Sequence, residues 1–145
     1  MQLTKTQITQ ANELIKKYKF CTLETQRKLK DAGFFQNVEV LSYIAIAKTS
    51  GIPVSVLYIE DVGWAQENEH YAFIPFPQFE EVWNVLPDYI IFNYGKAINA
   101  NQICYYNISN RSVCIMIHSY DQKENPSTCE AACQMWLKLK ENNLL

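Results

Sequence analysis

Glycine is scarce in this chain. Four of 145 residues are glycine, against an average near 7%, and Gly33, Gly51, Gly63 and Gly95 each stand alone. Loops that cradle phosphate need clustered glycines, because the backbone N–H groups must approach the ligand closely. Neither G-x-G-x-x-G nor G-x-x-x-x-G-K-[ST] occurs, which excludes the usual dinucleotide and P-loop readings. Cations are missing from one long stretch: residues 49–95 hold no Lys or Arg but seven acids, Glu60, Asp61, Glu67, Glu69, Glu80, Glu81 and Asp88. A surface of that sign repels phosphate backbones. With an isoelectric point near 5.7, well under the range of about 9 typical of nucleic-acid binders, nucleic acid is an unfavourable partner. No apolar run approaches the ~20 residues of a membrane-crossing helix, and the opening MQLTKTQITQANEL lacks the apolar segment of a secretory leader.

Cysteine chemistry is limited in the same way. The five cysteines, Cys21, Cys104, Cys114, Cys129 and Cys133, are odd in number and form no C-x-x-C. Disulfide scaffolds use even, denser sets, so the expectation is free thiols in a reducing cytoplasm. Only two histidines are present, neither at a familiar ligand spacing. No metal, cofactor or catalytic residue is assigned from the sequence.

What the chain does have is a globular composition, 48% hydrophobic and 19% charged, and clear amphipathic periods. Ile8, Ala11, Leu14, Ile15 and Tyr18 make one helical stripe. Thr22 to Ala32 reads as a second helix with Thr22 as N-cap and Gly33 in the left-handed position after it. Val38–Lys48 and Val54–Glu60 read as a hairpin, with the second strand central because both its faces are apolar. A short strand around His70–Ile74 precedes a helix over 77–86, in which Phe79, Val82, Trp83 and Leu86 share a face. Asp88–Asn93 reads as one strand, and 103–109 with 112–120 as another hairpin. The last helix, 126–141, starts with Asn125 or Ser127 as cap, the latter with Glu130 in a capping box.

Helices before and after hairpins imply an α+β fold: one domain over 1–145, with a helical segment at about 6–32 and a sheet region at 38–120. The expected sheet is mainly antiparallel and of about five strands, with helices packed on it through Trp83 and Trp136.

Four stretches, CTLETQRKLKDAGF, YAFIPFPQFEEVWNVLP, DYIIFNYGKA and EAACQMWLKLKENNLL, together resemble a set of small uncharacterised proteins encoded by phages and prophages. The shared features are a short helix ending in an L-K-x-x-G-F-like run, a proline-started helix ending in L-P, and a closing helix with an A-x-x-M-W-x-x-L-K-E-N-like pattern. The resemblance spans about residues 20–145 and departs after Phe35, where Leu41-Ser42-Tyr43-Ile44 supplies fewer aromatics. It implies a mobile-element origin and transfers no catalytic residue.

The candidate site is the loop Glu60–Tyr71. Glu60, Asp61, Glu67 and Glu69 surround Trp64, and Tyr71 closes the segment. Aromatics among acids on a loop are the pattern of a protein-docking surface. The leading expectation is a non-enzymatic module that binds a host or phage protein there. A second reading is a small-ligand or nucleotide-sequestering domain, with aromatics stacking a base and the basic helical face (Lys16, Lys17, Lys19, Arg27, Lys28, Lys30) holding its phosphates. A third is a thiol- or metal-dependent hydrolase built on Cys104, Cys114 or His118 with the acids near Glu67.

Overall fold

The computed structural model describes residues 3–47, 55–58, 71–99, 102–110, 114–118 and 127–145. Thr4 opens the first helix, α1 (Lys5–Tyr18): its hydroxyl accepts from the Gln7 amide and the Gln7 side chain returns to the Thr4 amide. This reciprocal cap satisfies two otherwise unpaired helix donors. Thr22 caps α2 (Leu23–Asp31). Gly33 takes φ +84 after it, the left-handed conformation glycine adopts without a Cβ penalty, and so redirects the chain into the short α3 (Phe34–Asn37).

Strands β1 (Ser42–Ala47), β2 (Ser55–Tyr58) and β3 (Tyr71–Phe76) form an antiparallel sheet in the order β2-β1-β3. The hairpin of β1 and β2 is as the sequence predicts. The central place is not: among the described residues β1 is flanked on both sides and β2 on one. The reason is β3, which pairs with β1 along its whole length, from Ser42↔Phe76 to Ala47↔Tyr71. Ile44, Ala45 and Ile46 are consecutively buried, the mark of a strand covered on both faces.

Helix α4 (Phe79–Val85) follows Pro77, with Gln78 as N-cap. A second antiparallel sheet then runs in chain order through β4 (Tyr89–Ile90), β5 (Tyr94–Asn99), β6 (Gln102–Asn107) and β7 (Cys114–His118). The fold is therefore α+β with antiparallel pairing throughout. The described strands number seven in two sheets, where the sequence suggested about five in one.

Helix α5 (Thr128–Glu141) is the spine of the core. It touches β6, β7, α2 and α4, and Cys129, Ala131, Ala132, Cys133, Met135, Trp136 and Leu139 are all buried along it. Trp136 meets Phe34 edge-to-face at 5.0 Å. The expected anchor is thus buried, but its aromatic partner lies on α3 rather than on a sheet. Ser127 is the cap, accepting from the Glu130 amide. Glu130 does not complete a capping box: its Oε1 instead accepts from the Thr22 amide at 3.1 Å, the Thr22 hydroxyl at 2.8 Å and the Thr25 hydroxyl at 2.7 Å. One buried carboxylate therefore ties the start of α5 to the start of α2. Among the described residues, no helix is long and apolar enough to cross a membrane.

Candidate functional site

Of the residues the sequence singled out for docking, Glu60, Asp61, Trp64, Glu67 and Glu69 lie outside the described residues. Tyr71 is the first residue of β3, half-buried, with its ring 6.2 Å from that of Phe73. The described remainder of the cation-free stretch holds a different feature, at a place the sequence read as continuous strand.

The chain reverses at Ile91–Asn93 instead of running on. Ile90 is buried and pairs with Tyr94, and Tyr89 pairs with Gly95, so three residues close the hairpin. Ile91 has φ 48 and Phe92 has φ 66. The Asn93 amide donates to the Ile91 carbonyl at 2.8 Å, an i→i+2 bond around Phe92 of the γ-turn kind that requires a positive central φ and is rare. Left-handed backbone is uncommon for any residue with a Cβ and an outlier for a β-branched one. Such positions cost on the order of 1–3 kcal/mol each and persist only where the surroundings enforce them.

The surroundings here do. Lys96 on β5 sits with its ammonium 4.5 Å above the Trp83 ring. It donates to the Trp83 carbonyl at 2.7 Å and the Leu86 carbonyl at 3.1 Å, and it pairs with Asp88 at 3.3 Å. It thus fastens the C-terminal end of α4, where a cation is favoured by the helix dipole, to the sheet. The Tyr105 hydroxyl donates to the Pro87 carbonyl, and the Ile108 amide to the Asn93 carbonyl at 2.9 Å. The root of the hairpin is therefore held on both strands.

The tip itself is bare. Phe92 is 102% exposed, with Tyr89 at 62%, Ile91 at 54% and Ile108 at 51%. Tyr89 and Ile108 flank Gly95: a Cβ there would meet the Tyr89 ring at 3.6 Å and Ile108 Cγ1 at 3.8 Å. Four apolar side chains of one hairpin end thus expose on the order of 500 Å², a size at which apolar patches are often functional. The charge beside them is Asp88, whose side chain is 81% exposed. Lys96, its counter-ion, is nearly buried and engaged.

A second surface feature is a cleft of about 370 Å³ beside α3, walled by Phe35, Val38, Val40, Tyr43 and Pro75 with Glu39 among its polar residues. Arg27, Lys28 and Lys30 are exposed on α2, which packs against α3.

Of the thiol constellations, the acids near Glu67 lie outside the described residues, and the strand register places the cysteines and His118. Cys104 pairs across the strands with Met116, Cys114 with Tyr106, and His118 with Gln102, so the register separates Cys104 from a direct position opposite His118. Burial, and then the neighbouring Cys114, push the Cys104 thiol up. Cys21, Cys129 and Cys133 come together in the core, an association the helical spacing of the last two did not disclose. Burial, with hydrogen bonds given to Cys129 and Cys21, drives the Cys133 thiol well up. Cys21 gains from the Cys133 hydrogen bond, which favours its thiolate, yet burial and the charges of Cys129 and Glu130 leave it raised. Such thiols stay protonated and act as small core hydrophobes. Among the described residues, no group of three or more His, Cys, Asp or Glu side chains is placed to hold a metal ion.

No family model, curated protein or solved structure matches the chain.

Proposed function

We propose that this chain is a non-enzymatic, cytoplasmic interaction module of phage or prophage type, which docks a partner protein through the acidic, aromatic surface of its middle third. The observation that carries this reading is the Ile91–Phe92 tip: a fully exposed aromatic on strained backbone, fastened at its root and set in a stretch without cations. Interface anchors are typically aromatic side chains that enter a partner's pocket. Acidic rims act mainly on the rate of encounter with a basic partner. The loop Glu60–Tyr71 belongs to the same cation-free stretch of sequence.

The test immobilises purified chain as bait in three forms: wild type, Phe92→Asp, and Glu60, Asp61, Glu67 and Glu69 all changed to Lys. Phe92 is fully exposed and exposed substitutions shift stability by about 0.5 kcal/mol or less, so Phe92→Asp should unfold at the urea concentration of wild type; the charge-reversed form is compared only where its urea midpoint matches. The expected result is a partner retained by wild type, lost by Phe92→Asp and captured with reduced salt sensitivity, or not at all, by the charge-reversed form. Retention of every wild-type partner by both variants would overturn the proposal.

A further inference from the structure

We infer that the cleft beside α3 binds a small organic cation, an ammonium group carried on an apolar body. This is a different surface from the docking tip: the cleft abuts the three-stranded sheet through Tyr43 and Pro75, whereas Phe92 stands on a hairpin of the four-stranded one. Its walls are fixed from within the core. Trp136, Phe34 and Phe35 form an edge-to-face series, with the Phe34 ring 5.0 Å from Trp136 and 5.2 Å from Phe35, so the Phe35 wall is braced. Tyr43 and Pro75 are direct partners across β1 and β3, and such partners share one face of the sheet. The Gln26 side-chain amide holds that strand, donating to the Pro75 carbonyl at 3.0 Å. The volume of about 370 Å³ is within the range of about 300–1,000 Å³ usual for small-ligand pockets, which are mostly apolar with a few polar groups and largely pre-formed.

What lines the cleft selects the sign of its ligand. The charged side chain among the lining residues is Glu39, which is exposed and enters no ion pair among the described residues. The exposed cations of α2 are not among the lining residues. Asn37, which also lines the cleft, donates its side-chain amide to the Gly33 carbonyl at 3.4 Å, and its side-chain oxygen remains to accept. An anion would therefore meet Glu39 with no cation to offset it. A hard divalent ion takes six or more oxygen ligands, which one carboxylate among apolar walls does not supply. An organic ammonium ion uses both parts of the lining. Its charge is drawn to Glu39 and to the π-systems of Phe35 and Tyr43, the attraction that already places the Lys96 ammonium 4.5 Å above Trp83 in this fold. Its apolar body is covered by Val38 and Pro75.

The experiment titrates the full chain, isotope-labelled for amide NMR, with three probes of one shape and different charge: phenethylammonium, the neutral phenethyl alcohol and the anion hydrocinnamate, each to about 10 mM, a range that reaches millimolar affinities. The expected result is a saturable shift of the amides over residues 35–43 with phenethylammonium, binding about fivefold weaker for the alcohol, and no shift there with hydrocinnamate. Glu39→Gln keeps the apolar walls and should weaken the ammonium probe about fivefold while leaving the alcohol unchanged, so the preference for charge disappears. Phe35→Leu should weaken both probes. Because Glu39 is exposed, its variant should match wild type in urea midpoint and keeps the test informative even if Phe35→Leu folds poorly. Equal affinity for ammonium and alcohol, a preference that survives Glu39→Gln, shifts centred outside the cleft, or no saturable shift at all would each overturn the assignment. None of these outcomes bears on the docking role of Phe92, which takes no part in the cleft.

Discussion

Replacing Ile91 by glycine should make the protein more stable, although most substitutions do the reverse. An L-residue held in left-handed backbone costs roughly 1–2 kcal/mol, and Ile91 sits there with φ 48. Glycine removes that penalty. Against it stands the greater freedom of glycine in the unfolded chain, roughly 0.5–1 kcal/mol. Little packing is lost, because the side chain is already 54% exposed. The balance favours the glycine variant by about 0.5–1 kcal/mol, which for a domain of this size raises the melting temperature by roughly 2–4 °C. Phe92→Gly follows the same arithmetic with no burial to lose. Urea unfolding followed by tryptophan fluorescence reads the change as a shift of midpoint at constant slope. Ile98→Gly is the control: that residue is similarly exposed, at 45%, but lies in β5 without a positive φ, so its replacement should destabilise by up to ~1 kcal/mol. If Ile91→Gly destabilises as Ile98→Gly does, the tip carries no backbone strain.

Glu130→Ala should cost about 1–3 kcal/mol, because three donors at the start of α2 lose the carboxylate oxygen they share; Glu24→Ala, which removes an exposed pair with Lys28, should cost about 0.5 kcal/mol or less, and equal losses in urea melts would refute the distinction. Trp136→Ala should cost roughly 3–5 kcal/mol, since the ring is 6% exposed and braced by Phe34; a loss below about 1 kcal/mol would contradict its place in the core. Stability should hold at neutral pH and fall as pH rises past about 9.0, the ordinary thiol value, because unfolded chains ionise there while Cys21 and Cys133, both raised in the fold, keep their protons. Cys133→Ala should flatten that decline in urea midpoints measured between neutral and alkaline pH.

The helices were the most legible part of the chain, for a local reason. Thr22 and Ser127 supply caps within a turn of the residues they serve, and the apolar spacing of Ala11–Ile15 or Ala132–Met135–Trp136 repeats within a few residues; the Thr4–Gln7 cap is equally local but lies before the apolar stripe that marks the helix. Strand assignment succeeded where β-branched runs alternate, and the hairpins β1–β2 and β6–β7 follow from it. Sheet order was not legible, because the pairing of β1 with β3 joins residues about thirty positions apart and nothing local encodes it. The tip was missed for a sharper reason. Asp88–Asn93 is apolar and β-branched, so propensity argues strand, yet the buried Ile90 and the fastening by Lys96 and Tyr105 turn the chain back after two strand residues. The residue best suited to a positive φ, Asn93, does not take one. Likewise the capping-box motif Ser127–Glu130 was visible, but the carboxylate is drawn to Thr22 and Thr25, partners more than a hundred residues away in the chain.

A local rule broken without structural compensation marks the places where a sequence answers to something other than its own stability. At Glu130 the rule is broken and the gain is evident, since the carboxylate joins two helices. At Ile91 and Phe92 no comparable gain is present within the molecule: glycine or asparagine would close the same turn at less cost, and neither exposed side chain buries enough surface to offset the backbone. What the arrangement does achieve is presentation. Phenylalanine has only two side-chain torsions, and a fixed backbone beneath it lowers the ordering cost of association. Stability and docking should therefore move in opposite directions along one series. Ile91→Gly, more stable, should dock more weakly through lost apolar area and a looser tip, whereas Phe92→Leu should keep most of the contact at unchanged strain. A series in which the stabilised variants dock as well as wild type would leave the strain without a function and would count against the tip as the anchor.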